Sequence, residues 1–206
     1  MLRQTGHCGW PAEWFNMRYL QAYGKVLGRK QVNFDQYFQW VVERTTTPNQ
    51  VFSVNFHVEQ YQHLRKQGLD VLKLGFDHVV YLHRRDKLAQ AYSLRRAQIT
   101  DQWSADTDPV SEADEKQLTR SEIIKALFQI AQQEDFLEEN LRLHIEQDYG
   151  YEDFTGEGAE RVFEHFLETT GLESGADQLS LSTRLEKQRK NYSPAPLEKV
   201  REYLRG

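Results

Sequence analysis

A single cysteine, Cys8, stands among the 206 residues. No disulfide can therefore form within the chain, which suits a reducing compartment, and a cytoplasmic location is expected. Prolines number only five, too few for a proline-rich linker or an extended polyproline tract. No apolar run approaches the roughly 20 residues of a membrane-spanning helix, so no membrane span is expected. The opening stretch MLRQTGHCGWPAEWF lacks the continuous apolar core of a signal peptide. Positive charge is not in excess. Lys and Arg total 26 against 31 Asp and Glu, a formal charge of −5, which argues against a general nucleic-acid or anionic-membrane binder. A GxxxxGK[ST] phosphate loop is missing, which disfavours an ATP-dependent kinase. HExxH and CxxC are missing too, and the histidine pairs His57/His63 and His78/His83 do not have metal-site spacing, so no metal is expected.

What is there is globular in composition, with 39 % hydrophobic and 12 % aromatic residues. The length suits one domain over 1–206. In residues 33–44, NFDQYFQWVVER, Phe34, Tyr37, Phe38, Val41 and Val42 fall at helical spacing. VFSVNF (51–56) reads as a strand and 57–67 as a helix. VVYL (79–82) is a short continuous apolar run of the kind found in a strand covered on both faces, and 86–100 reads as a helix. Residues 104–116, SADTDPVSEADEK, form an acidic loop without period. A long helix is expected over about 117–137, where Ile123, Ile124, Leu127, Phe128, Ile130, Phe136 and Leu137 could serve the core or a homodimer contact. LRLHIE (141–146) alternates like a third strand, 157–170 reads as an amphipathic helix, and a short helix closes the chain. Strands alternating with helices predict an α/β fold with a parallel sheet flanked by helices.

The junction VVYLHRRDKLAQAYS (79–93) carries the sharpest chemistry. In open α/β sheets ligands sit beyond the carboxyl ends of the strands. There the run ends in His83, Arg84 and Arg85, with Asp86 placed to cap the next helix. That helix start also favours an anion. Ser93 lies on the order of 10 Å along the helix at 1.5 Å per residue, near the reach of an extended arginine. A planar cation with a short hydroxyl donor suits a phosphate. Solvated arginines at an ordinary strand-to-helix turn would read the same way locally.

The wider pattern separates these readings. VVYLHRRDKLAQAYSLRRAQITDQW resembles the central segment of the bacterial trehalose 2-sulfotransferase-like family, through His83-Arg84, Asp86, Gln90-Ala91, Ser93, Arg96-Ala97, Thr100 and Trp103 in order. TGHCGWPAEWFN (5–16) is similar to that family's TG-x-x-G-x-P-x-E-x-F block. QDYGYEDF resembles its Tyr-Glu-Asp block, and LEKQRKNYS its Lys/Arg-Gln segment. The resemblance implies a sulfotransferase with a P-loop-like α/β fold. Its donor would be phosphoadenosine phosphosulfate (PAPS), and its acceptor a hydroxyl, on a carbohydrate or glycolipid.

By the same resemblance Arg84 and Ser93 would hold the donor's ribose 3′-phosphate, with Arg85 beside them and Lys187, next to Gln188, completing the site from the tail. From the residues themselves, Gln90, Thr100 and Trp103 could line the acceptor pocket, Trp103 as a sugar-stacking surface, and core packing would account for them equally well. Glu13, in the G-x-P-x-E-x-F block, would be the base that takes the acceptor's proton. Trp10, Trp14 and Phe15 would surround it with apolar surface and raise its pKa if it is buried. Two departures bear on activity. The family's first strand and its P-R-S-G-S/T-type loop, which wraps the 5′-phosphosulfate, have no counterpart before LRQTG. This predicts a fragment, a misplaced start or a decayed paralogue, with poor catalysis and at most weak nucleotide binding or protein interaction. Asn55 also stands where the family's G-x-K-x-M segment places a lysine, with His57 close by as another donor.

Overall fold

The computed structural model describes residues 6–103, 118–154, 159–172 and 195–205. Among these the chain is mixed α/β, mostly helical, with two parallel strands. The expected acidic loop 104–116, Lys187 and Gln188 lie outside the described residues. The chain divides into two compact units, Met1–His78 with Glu160–Ser182, and Val79–Ala159 with Thr183–Gly206.

The first unit holds α1 (Met17–Val26), α2 (Phe34–Thr45), α3 (Val58–Lys66), a 3-10 turn at Val71–Leu74, and α6 (Ala159–Thr169). Asparagines start two of the helices. The Asn16 side chain accepts from Arg18 N–H at 3.1 Å, and that of Asn33 from Gln36 N–H at 3.0 Å, so amides left over at each first turn are satisfied. Aromatic rings make the core. Phe15 is 1 % exposed and packs against Phe34, Phe38 and Phe56. The Tyr37 hydroxyl donates to the Trp14 carbonyl at 2.5 Å. On α6, Phe163 and Leu167 bury Cys8.

The 51–56 segment corrects the strand expectation: it belongs to no ladder. Its polar groups instead bond to the loop carrying Glu13. Asn55 N–H donates to Ala12 O at 2.9 Å, and the Ser53 hydroxyl donates to Cys8 O. Gly9 makes this approach feasible. Its φ is +70°, and a Cβ there would lie 2.7 Å from Ser53 N.

The second unit holds β1 (Val80–His83), α4 (Lys87–Thr100), α5 (Arg120–Asn140), β2 (Gln147–Gly150) with its following turn Tyr151–Phe154, and α7 (Ala195–Arg205). β1 and β2 run parallel, with Val80 opposite Gln147 and His83 opposite Gly150. The two helices between them form the crossover that parallel pairing requires. Here too the sequence expectation needs correction. LRLHIE is not a strand: residues 142–144 form a 3-10 turn, and β2 begins only at Gln147. Leu143 is fully exposed, so the alternation of Leu141, Leu143 and Ile145 did not mark a buried face. Ala91 and Tyr92 of α4, Ile123, Ala126 and Ile130 of α5, and Leu197 and Val200 of α7 make this unit's core.

Candidate functional site

The β1–α4 corner is built from its register. His83 lies opposite Gly150, where the ladder ends, and the 3-10 turn Tyr151–Phe154 that follows meets Arg84 and Arg85 through Tyr151, Glu152 and Asp153. The Asp86 side chain caps α4 by accepting from Ala89 N–H at 2.9 Å. It also pairs with Arg201 of α7 at 2.6 Å. Both Glu152 oxygens accept from Arg85 N–H, at 3.2 and 3.1 Å. The amide beside the helix start, where the sequence placed a bound anion, is thus satisfied by the chain's own carboxylate. Backbone hydrogen bonds hold Glu152 below the ordinary glutamate range despite the opposing cost of burial.

The adjacent arginines have different surroundings. Arg85 Nη2 lies 2.5 Å from Asp153 Oδ2, and Asp153 also accepts from Gly150 N–H at 3.0 Å. The Arg85 hydrogen bond draws Asp153 below its usual pKa. Arg84, in contrast, has no carboxylate partner among the described residues. Its guanidinium carbon sits 4.3 Å over the Tyr151 ring, and its Nη1 lies 3.5 Å from Ser93 Oγ.

Gln90 follows on α4, and its buried Oε1 has no hydrogen-bond partner among the described residues. Buried polar atoms are nearly always paired, so an orphan of this kind calls for an explanation such as a bound molecule. Trp103 is 56 % exposed, with its indole N–H donating to Asp101 Oδ1 at 2.8 Å. In the same unit a cleft of about 390 Å³ is lined by Tyr81, Glu134 and Asp148 among others. Lys87 pairs with Glu134 and Arg142 with Asp148 at 3.1 Å. That cleft suits an anion less well than the Arg84 corner does.

Glu13 lies in the first unit, where three side chains hold its carboxylate. Asn16 Nδ2 and Gln60 Nε2 donate to Oε2, at 3.1 and 2.8 Å, and His57 Nε2 lies 3.2 Å from Oε1. Each amide is oriented by a second bond. The Asn16 oxygen is taken by Arg18 N–H, and that of Gln60 by His57 N–H at 3.3 Å. The expected rise in the Glu13 pKa is therefore overturned. The His57 hydrogen bond chiefly, with Asn16 and Gln60 helping, holds Glu13 at about 2 although burial opposes it. Its side chain remains 38 % exposed and Trp10 42 % exposed, so the apolar enclosure is partial. Glu13 in turn raises His57 above its ordinary value of 6.5. Sequence reasoning passed over Asn16 and Gln60. Their signals were the three-residue step from Glu13 to Asn16 and from His57 to Gln60, the spacing that brings a helix-entry side chain onto the first turn.

Parallel strands crossing over through helices, with a guanidinium and a hydroxyl set at the strand end, define an α/β protein suited to an anionic substrate. A family model described as Stf0 sulphotransferase matches residues 1–140, more than half of the 206-residue chain. The chain belongs to the Stf0 sulphotransferase family. No curated protein matches it. Among the described residues no helix is long and apolar enough to cross a membrane.

Proposed function

We propose that the chain binds PAPS and transfers its sulfuryl group to a hydroxyl of a carbohydrate or glycolipid. The observation that carries this reading is Arg84, a guanidinium at the end of a parallel strand with a ring beneath it, a hydroxyl beside it and no carboxylate among the described residues. The corner fits a terminal phosphate: Arg84 supplies planar charge, and Ser93 a short donor. When bound, the donor supplies the sulfuryl group. Arg85 is tied to Asp153, which leaves it a lesser share of the charge at the site. Lys187 is proposed to assist from the tail. The orphan oxygen of Gln90 suits a donating acceptor hydroxyl, and the exposed indole of Trp103 suits a sugar face.

Glu13 is the proposed proton acceptor. While His57 is charged, a carboxylate held at about 2 is a feeble base, because general bases work best with pKa values near the operating pH. When His57 loses its proton, Glu13 becomes more basic. Activity should therefore rise with pH through the titration of His57. A second reading, a nucleotide-binding member without turnover, is favoured by that depressed pKa and by Asn55 at the lysine position. One experiment separates them: sulfuryl transfer from PAPS to a panel of sugars, for wild type and Glu13→Gln. Transfer by wild type that the variant loses supports the enzyme. Binding of adenosine 3′,5′-bisphosphate without any transfer supports the second reading.

A further inference from the structure

Two arginines in sequence, Arg84 and Arg85, have the same chemistry and nearly the same backbone position. What separates them is the turn after β2. The ladder ends where His83 meets Gly150, and in the 3-10 turn that follows Tyr151 meets Arg84 while Glu152 and Asp153 meet Arg85. The carboxylates bond the Arg85 amide and guanidinium. The ring takes only the face of Arg84. A carboxylate would occupy the guanidinium N–H donors and cancel its charge. An aromatic face holds the same group through its π cloud and leaves the N–H edge available for a planar, two-point contact. Ser93 Oγ lies toward that edge, 3.5 Å from Nη1. Glu152, at the adjoining amide, would also repel a second anion, so a phosphate at this corner must rely on the Arg84 edge.

We propose that Tyr151 is a positioning residue that sets specificity for the donor's 3′-phosphate, by holding the Arg84 guanidinium flat with no carboxylate among the described residues on its N–H edge. This rests on the reading of Arg84 as the 3′-phosphate ligand. The role requires the ring and not the hydroxyl, and it acts through Arg84 alone.

The test is titration calorimetry of the full chain at low salt with two probes, adenosine 3′,5′-bisphosphate and adenosine 5′-monophosphate. The readout is the ratio of their affinities. Wild type should prefer the bisphosphate. Tyr151→Phe should keep that preference. Tyr151→Leu should lower it about two- to five-fold, the range expected for one exposed cation–π contact. Tyr151→Met gives an independent ringless value should the leucine variant fold poorly. In an Arg84→Ala background, Tyr151→Leu should change the ratio no further. A merely structural turn would weaken both probes together and leave the ratio at its wild-type value, which would overturn the proposal while Arg84 kept its role. If wild type does not distinguish the probes, the reading of Arg84 fails and the proposal fails with it.

Discussion

Glu13 shows how far one residue's chemistry depends on neighbours that its own sequence window does not reveal. Its motif marked it as an acid amid aromatic side chains, which suggested a raised pKa. The neighbours that decide the matter are polar: His57 and Gln60 arrive from more than 40 positions away, as the separation of 47 for Gln60 shows. The result is a half-exposed ion pair whose effect on stability has a definite pH window. Glu13 is depressed from 4.5 to about 2, so its contribution is complete above 4.5 and fades as the pH falls toward 2. His57 is raised above 6.5, so the same pairing is complete below 6.5 and fades as the pH climbs through the folded-state value. These are two limbs of one interaction, greatest between about 4.5 and 6.5. Urea midpoints measured from pH 3 to 9 should show that maximum. In His57→Gln the fall above pH 6.5 should shrink relative to wild type. An unchanged alkaline limb would mean that the pair contributes nothing. Arg84 and Arg85 teach the same lesson. They look interchangeable in sequence, and only the pairing of β1 with β2 assigns one to a ring and the other to carboxylates.

Elements with strong helical period were legible. The helices expected at 33–44, 57–67, 86–100 and 157–170 occur within a few residues of those limits, and the long helix lies at Arg120–Asn140. The apolar run at 79–82 is a strand shifted by one residue. Three features were not legible. α1 buries only Leu20 and Gly24, one contact per turn, too thin a stripe to stand out. The 51–56 segment spends its polar groups on a loop, and the alternation of 141–146 falls on exposed turns. Tertiary pairing decided all three. Gly9 is the element-scale requirement for that loop contact. Gly9→Ala places a methyl 2.7 Å from Ser53 N at a left-handed φ, and the obstruction is backbone that cannot swing aside. It should destabilise the chain by about 2 kcal/mol or more, read as a lower urea midpoint at unchanged slope. Asp86 is the matching case in the second unit, since one carboxylate caps α4 and pairs with Arg201 of α7. Asp86→Ala should cost about 1–2 kcal/mol. Asp86→Ser, which restores the cap but not the pair, should recover most of that loss, because a partly exposed ion pair, its side chains 32 % and 46 % exposed, adds little.

At the scale of the whole molecule, the proposed binding corner, Arg84 with Ser93, lies in one unit, and the proposed proton acceptor, Glu13, in the other. Each assignment can therefore be tested while the other is left in place. A ligand that binds only the folded chain stabilises it by about 2.7 kcal/mol at a hundred times its Kd. For a chain of 206 residues unfolding cooperatively, that raises Tm by roughly 5–10 °C. Adenosine 3′,5′-bisphosphate should produce such a shift in wild type and lose most of it in Arg84→Ala. Glu13→Gln should lower the unliganded Tm, since it removes the carboxylate on which His57, Asn16 and Gln60 converge. Measured from that lower baseline, its ligand-induced shift should equal that of wild type, while sulfuryl transfer falls by about a hundredfold or more. A Glu13→Gln protein that loses the ligand shift would show that the carboxylate supports donor binding, and the division between a binding corner at Arg84 and a proton acceptor at Glu13 would have to be abandoned.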